Sequence, residues 1–117
     1  MIYGIGTDII EVERIKKELE KNQGLREKLF TEVEIAYCEN KKNKFQHYAV
    51  RYAAKEAFFK GLGTGWRYGM AWNEIEVRND QLGKPEIILS AKVLEFARKN
   101  KIGKIHISLS HLKDVVN

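Results

Sequence analysis

Residues 47–61, HYAVRYAAKEAFFKG, constrain the fold more than any other stretch of this 117-residue chain. The segment is rich in alanine and aromatics and reaches a glycine at position 61, where a helix C-terminus commonly falls. It therefore reads as the strongest helix in the sequence. Tyr48, Tyr52, Phe58 and Phe59 lie within it and are expected in a core rather than on a surface. The same helix carries Arg51, Lys55, Glu56 and Lys60, so its charged positions need an explanation of their own.

The segments around it alternate between helical and extended patterns. IYGIGT, residues 2–7, reads as a short strand, with Gly4 and Gly6 allowing close backbone approach. Asp8 and Glu11 have the spacing of a capping box, and Val12, Ile15 and Leu19 give the helix that follows a sparse apolar stripe. Gly24 interrupts, and a short helix LREKLF comes next. Thr31 and Glu34 form a second capping box, with Phe30 and Ile35 at staple spacing, which predicts a helix from about 32 to 42. NKKNKF then connects to the central helix. Beyond the glycine-rich GLGTGWRYGM, residues 73–79 alternate as a strand with Ile75 and Val77 inward. Asp80 to Pro85 is a turn, and EIIL returns as the second arm of a hairpin. Ser90 is expected to cap a helix running to about Asn100, with Val93, Leu94 and Ala97 inward. KIHISLS alternates as a final strand. This order predicts an α+β fold, a small antiparallel sheet packed with helices, in a single domain spanning 1–117.

Composition narrows the partner more than the fold. With 21 basic and 16 acidic residues the net charge is +5, which favours an anionic partner: nucleic acid, a phosphorylated cofactor or an acidic protein. Cys38 is the lone cysteine, so no disulfide forms within the chain and a reducing compartment is expected. The first residues lack the features of a signal peptide, and no apolar run approaches the ~18 residues of a membrane span. The expectation is a cytoplasmic protein without a membrane partner.

Several residues could carry chemistry. Asp8, where a strand runs into a helix, suits a hard cation that takes oxygen ligands, although an N-cap alone would also place an aspartate there. Glu56 and Lys60 are four apart and share a helix face; their plain reading is a surface ion pair. Arg51 and Lys55 lie on a neighbouring face, as phosphate-gripping groups or as a solvated basic stripe. Gly63, Thr64 and Gly65 lie in a loop that could offer amides and a hydroxyl to phosphate, yet it follows a helix instead of opening one and is no P-loop. His111 stands just past the last strand. Neither a zinc cluster nor a nucleophile–histidine–acid set is visible.

Taken together, GIGTDIIEVERI, RYAAKEAFFKGLGTG, the WNEIEV strand with GKP, and HISLSH resemble the holo-acyl-carrier-protein synthases of the 4′-phosphopantetheinyl transferase superfamily. The resemblance runs from about residue 2 to 112. It implies transfer of phosphopantetheine from coenzyme A to a serine of apo-acyl carrier protein, for fatty acid biosynthesis. It implies magnesium on Asp8 and Glu56, and Lys60 beside the diphosphate. Arg51, Gly63, Thr64, Gly65 and His111 would contact the cofactor, and Arg14 the carrier protein. A homotrimer with sites between subunits also follows from it. Two features depart from the family pattern: Leu112 replaces the usual threonine after the histidine, and family chains usually continue with one more apolar strand beyond the position of Asn117. The proton acceptor stays open between Glu56 and a water that it orients.

Two other readings compete. One is a small basic nucleic-acid-binding domain, which lacks an exposed aromatic platform and any helix-turn-helix or RNA-recognition signature. The other keeps the fold as a non-catalytic carrier-protein-binding module. If the basic surface, with Arg14, Lys16, Lys17 and Arg26 as candidates, steers an acidic carrier, the transfer rate should fall as salt rises from about 50 to 500 mM. A rate indifferent to ionic strength in a stopped-flow or quench assay would exclude steering.

Overall fold

Capping chemistry sets where the helices begin. The computed structural model describes residues 9–61, 69–79 and 82–99. Helix α1 (Ile9–Lys21) buries Ile15 and Leu19, with Val12 beside them, as its apolar stripe requires. Gly24, at φ +88°, takes the left-handed turn into α2 (Leu25–Leu29), a conformation that costs a residue with a Cβ more than it costs glycine. Helix α3 (Glu32–Glu39) starts with a complete capping box. Thr31 Oγ1 accepts from Glu34 N at 3.2 Å, and Glu34 Oε1 accepts from Thr31 N at 2.9 Å. Phe30 and Ile35 meet in one apolar cluster, as staple spacing demands.

The central helix α4 (Lys44–Gly61) begins three residues earlier than its sequence pattern suggests. Asn43 is the reason. Its carbonyl accepts from Gln46 N at 3.0 Å while its side-chain amide donates to Gln46 Oε1 at 2.8 Å, so the polar connection itself starts the helix. Helix α3 stops at Glu39, short of 42, with Asn40 as its C-cap and its N–H turned to Cys38 O.

A single-turn 3-10 helix, Trp72–Glu74, precedes strand β1 (Ile75–Asn79), which pairs antiparallel with β2 (Pro85–Leu89). The register sets Ile75 opposite Leu89, Val77 opposite Ile87 and Asn79 opposite Pro85. Ser90 N donates to Glu74 O, so the bonded pairs fall at alternate positions and the Pro85 nitrogen faces away from β1, where a missing N–H costs no ladder bond. Gly83, at φ +83°, makes the left-handed step of the hairpin, and its carbonyl accepts from Asn79 Nδ2 at 3.1 Å.

Helix α5 (Ala91–Lys99) buries Val93 and Ala97 and leaves Leu94 half-buried. Ser90 was expected to cap it. Instead the Glu74 carboxylate reaches across and accepts from Val93 N at 2.9 Å, while Ser90 Oγ lies 3.5 Å from Glu74 O. An acidic side chain at a helix N-terminus supplies both the acceptor and favourable charge.

The expected fold class stands: helices packed with a small antiparallel hairpin. One apolar cluster joins α1, α3 and the first half of α4 around Phe30, Cys38 and Tyr48. Another joins the second half of α4 to the hairpin and α5 around Phe58, Phe59, Ile75 and Val93. Among the described residues, no helix is long and apolar enough to cross a membrane. The expected strands at 2–7 and 104–110 and the cap at Asp8 lie outside the described residues.

Burial of Cys38, fully enclosed, pushes its thiol up to about 12. A thiolate, not a thiol, attacks disulfide reagents. At pH 8 the native protein should therefore leave 5,5′-dithiobis(2-nitrobenzoate) unreacted, whereas urea-unfolded protein should release thionitrobenzoate equal to one cysteine per chain. Rapid native labelling would show that this core opens.

Candidate active site

Packing of α1 on α4 brings the first turns of α1 to one flank of the central helix. Val12, Ile15 and Leu19 meet Tyr48, Ala49 and Tyr52 in a shared cluster. Going round α4 from that contact at 100° per residue, Tyr52 is followed by Glu56 and then Lys60. Glu56 is half-buried and Lys60 is exposed one turn later.

The surroundings of Glu56 are charged on one side and aromatic on the other. The hydrogen bond that Arg14 Nη2 donates to Glu11 Oε1 holds the Arg14 guanidinium above its ordinary value, and Tyr52 and Glu56 add to that effect. Burial raises the Tyr52 phenol, and the negative charge of Glu56 raises it further. Arg14, Glu11, Tyr52 and Glu56 therefore share one electrostatic neighbourhood. Beneath it, Tyr52 stacks on Trp72 with ring centroids 5.0 Å apart and planes 24° from parallel. Trp72 in turn meets Phe59 edge-on at 5.0 Å. These contacts hold the flank of α4 against the segment that enters the hairpin.

Among the described residues the half-buried Glu56 carboxylate has no hydrogen-bond or ion-pair partner. An all-oxygen donor suits a hard cation such as magnesium. Among the described residues, no three His, Cys, Asp or Glu side chains converge as a ready metal site. A cation here would need donors from elsewhere, and Asp8, immediately before α1, lies outside the described residues, as do Gly63, Thr64, Gly65 and His111.

The basic residues one turn back behave differently from a solvated stripe. Lys55 is fully buried, donating to Glu34 Oε1 at 2.6 Å, Leu29 O at 2.7 Å and Trp72 O at 3.2 Å. Burial pushes its ammonium down, and Glu34 opposes that. Arg51 is 3% exposed; its Nη2 donates to Asn79 Oδ1 at 2.9 Å and its guanidinium lies 4.3 Å from the Tyr37 ring centroid. It faces the far side of α4 from Lys60, so the described residues do not bring the two together. Its Nε has no acceptor among them. Burial lowers the His47 imidazole, and Arg51 and Lys41 lower it further. Tyr48, Phe58 and Phe59 are core, which removes the stacking surface that a nucleic-acid reading would need.

Sequence reasoning placed Tyr52 in the core and Glu11 in a capping box, and gave neither of them, nor Trp72, a place beside Glu56. The spacing of Tyr52, Glu56 and Lys60 at four-residue steps was a usable signal for the first; nothing local points to Trp72.

A profile of the 4′-phosphopantetheinyl transferase superfamily matches residues 4–114. The chain belongs to that superfamily. It is 51% identical over 112 residues to the holo-[acyl-carrier-protein] synthase of Geobacter sp. (strain M21), covering 95% of this chain and 90% of the relative. Against the Caldanaerobacter subterraneus enzyme of the same name it is 46% identical over 110 residues, covering 94% of this chain and 86% of the relative. Among solved transferases, the Neisseria meningitidis holo-[acyl-carrier-protein] synthase superposes with a TM-score of 0.68 at 35% identity, covering 85% of this chain and 80% of that one. A Bacillus anthracis str. Ames holo-(acyl-carrier-protein) synthase in complex with CoA (3′,5′-ADP) gives 0.61 at 44% identity, covering 79% of each.

The Arg14–Glu11 pair is exposed, with side chains 51% and 37% accessible. Pairs of that kind contribute at most about 1 kcal/mol. Arg14→Ala should therefore shift the urea midpoint very little, which separates any effect on carrier binding from an effect on folding. A shift above about 2 kcal/mol would show that the pair supports the fold.

Proposed function

We propose that this transferase moves the 4′-phosphopantetheine arm of coenzyme A to a serine of apo-acyl carrier protein, releasing adenosine 3′,5′-bisphosphate. The observation that carries this reading is the half-buried Glu56 carboxylate, set against the first turns of α1 just after Asp8, with Lys60 one turn on. Support comes from relatives and structural neighbours named as holo-acyl-carrier-protein synthases, one of them in complex with CoA (3′,5′-ADP).

In this reading the serine Oγ attacks the β-phosphorus of coenzyme A and the bond from that phosphorus to the bridging diphosphate oxygen breaks. The chemistry depends on position and charge more than on covalent help from the protein. Asp8 and Glu56 would hold magnesium, which supplies positive charge to the diphosphate when bound. Lys60 places a second positive charge beside the departing bisphosphate. The serine proton goes to Glu56 or to a water that it orients; a carboxylate engaged with a cation is a weak base, which favours the water.

Gly63, Thr64, Gly65 and His111 would complete the cofactor contacts; Arg51, also assigned there by the resemblance, is 3% exposed and faces away from Lys60, so its part would be to brace α4 against the hairpin. Arg14 would meet the acidic carrier. The same reading makes the protein a cytoplasmic homotrimeric enzyme of fatty acid biosynthesis, with His111 supplied across a subunit interface.

Mass spectrometry of apo-acyl carrier protein incubated with the protein, coenzyme A and magnesium should show the gain of one phosphopantetheine, abolished by EDTA. Glu56→Gln and Asp8→Ala should each lower kcat at saturating magnesium by about 100-fold or more. Near-normal turnover in either variant would remove that residue from the metal site, and an unmodified carrier with folded wild-type protein would reject the activity.

A further inference from the structure

We propose that Lys55, through its buried ion pair with Glu34, is a positioning residue for the transfer: it fixes the rotation of α4 about its axis and with it the place of the Glu56 carboxylate. This rests on the reading of Glu56 given above, and it concerns residues to which that reading assigns nothing.

The geometry is that of a clamp. A lysine ammonium has three donors, and here all are engaged, with the end of α2 at Leu29 O, with α3 at Glu34 Oε1 and with the 3-10 turn at Trp72 O. Glu34 cannot follow a drifting lysine, because its Oε1 also accepts from Thr31 N and its Oε2 accepts from Val77 N at 2.8 Å. Both side chains are fully buried. Swapping a buried pair of this kind for well-packed neutral groups is often neutral or stabilising, so stability alone is a poor account of it. Charge-assisted hydrogen bonds have direction, which apolar packing lacks.

That direction bears on the candidate site because of where Lys55 stands. It occupies the middle of the buried face of α4, between Arg51, Phe58 and Phe59, and Glu56 follows it by 100° around the axis. Rotating the helix by about 10° would carry a carboxylate out on its side chain through about 1 Å. A misplacement of about that size is enough to cost on the order of 100-fold in rate.

The test compares wild type, Glu34→Gln/Lys55→Met and Val93→Ala. The double variant removes both charges of the pair together, so neither is stranded, and the glutamine can still accept from Val77 N. Val93→Ala weakens the other cluster and serves as a control of matched stability. Melting temperature, kcat, KM for the carrier and the affinity for Mn2+ read by electron paramagnetic resonance are measured for each. The expected result is a folded double variant whose kcat falls about 10- to 100-fold and whose Mn2+ affinity weakens comparably, with KM for the carrier unchanged and Val93→Ala close to wild type in both. A folded double variant with wild-type kcat and Mn2+ affinity overturns the proposal. So does an equal loss in Val93→Ala at the same melting temperature, which would reduce the pair to general stability. Should the double variant fail to fold, Thr31→Ala loosens Glu34 without stranding a charge and is judged by the same readings. Inactive wild-type protein would sink the transferase reading itself, and the Mn2+ comparison would still decide whether Lys55 positions Glu56.

Discussion

The ion pair between Glu34 and Lys55 is the constraint on which the rest of the architecture depends. It sits between the two apolar clusters, with the ammonium 5.0 Å from the Phe30 ring centroid on one side and bonded to Trp72 O on the other. Neither cluster alone fixes how α3, α4 and the hairpin meet. Apolar contacts tolerate sliding, whereas a buried lysine must satisfy each donor in place or leave a costly unpaired charge. The capping box at Thr31 belongs to the same system, because the residue that closes it is the residue that receives the lysine. A local helix-start signal thereby becomes a long-range tether.

Around that tether, α4 divides its faces among separate tasks. Its middle is core, one flank braces the hairpin through Arg51 and Asn79, and the other carries Glu56 in the neighbourhood of Arg14, with Lys60 exposed one turn on. The aromatic contacts of Tyr52, Trp72 and Phe59 stiffen that second flank without occupying its charged rim. Glu56 itself is half-buried, held within this flank and not enclosed by the described residues.

Much of this was legible in the sequence. The capping box at Thr31 and Glu34, the short helix after Gly24, the core aromatics of the central helix and the inward faces of Ile75 and Val77 all follow from local rules, and the structure agrees. What local rules miss is where a polar side chain finds a distant partner. Lys55 and Arg51 read as phosphate-gripping groups or a solvated stripe because the partners that bury them lie 21 and 28 residues away. Ser90 looked like a cap because serine usually is one before a helix, but Glu74, at the end of the 3-10 turn before β1, took the position. Asn43 moved a helix start because its amide bonds to Gln46 inside a segment that composition marks as a loop. In the candidate site, the Glu56–Lys60 face was evident from spacing, whereas the stack of Tyr52 on Trp72 spans a break in the sequence that no periodicity crosses.

The hydrogen bond from Val77 N to Glu34 Oε2 has a consequence for assembly. Val77 turns its amide away from β2, toward the border where another strand would lie alongside β1. A carboxylate already stands there, anchored in a helix and neutralised by a lysine. That border is closed at its midpoint, because an incoming carbonyl would find the Val77 N–H already donated to Glu34. At that point β1 has one free donor fewer than a bare edge strand, and a single side chain of a helix sets how that border can be used.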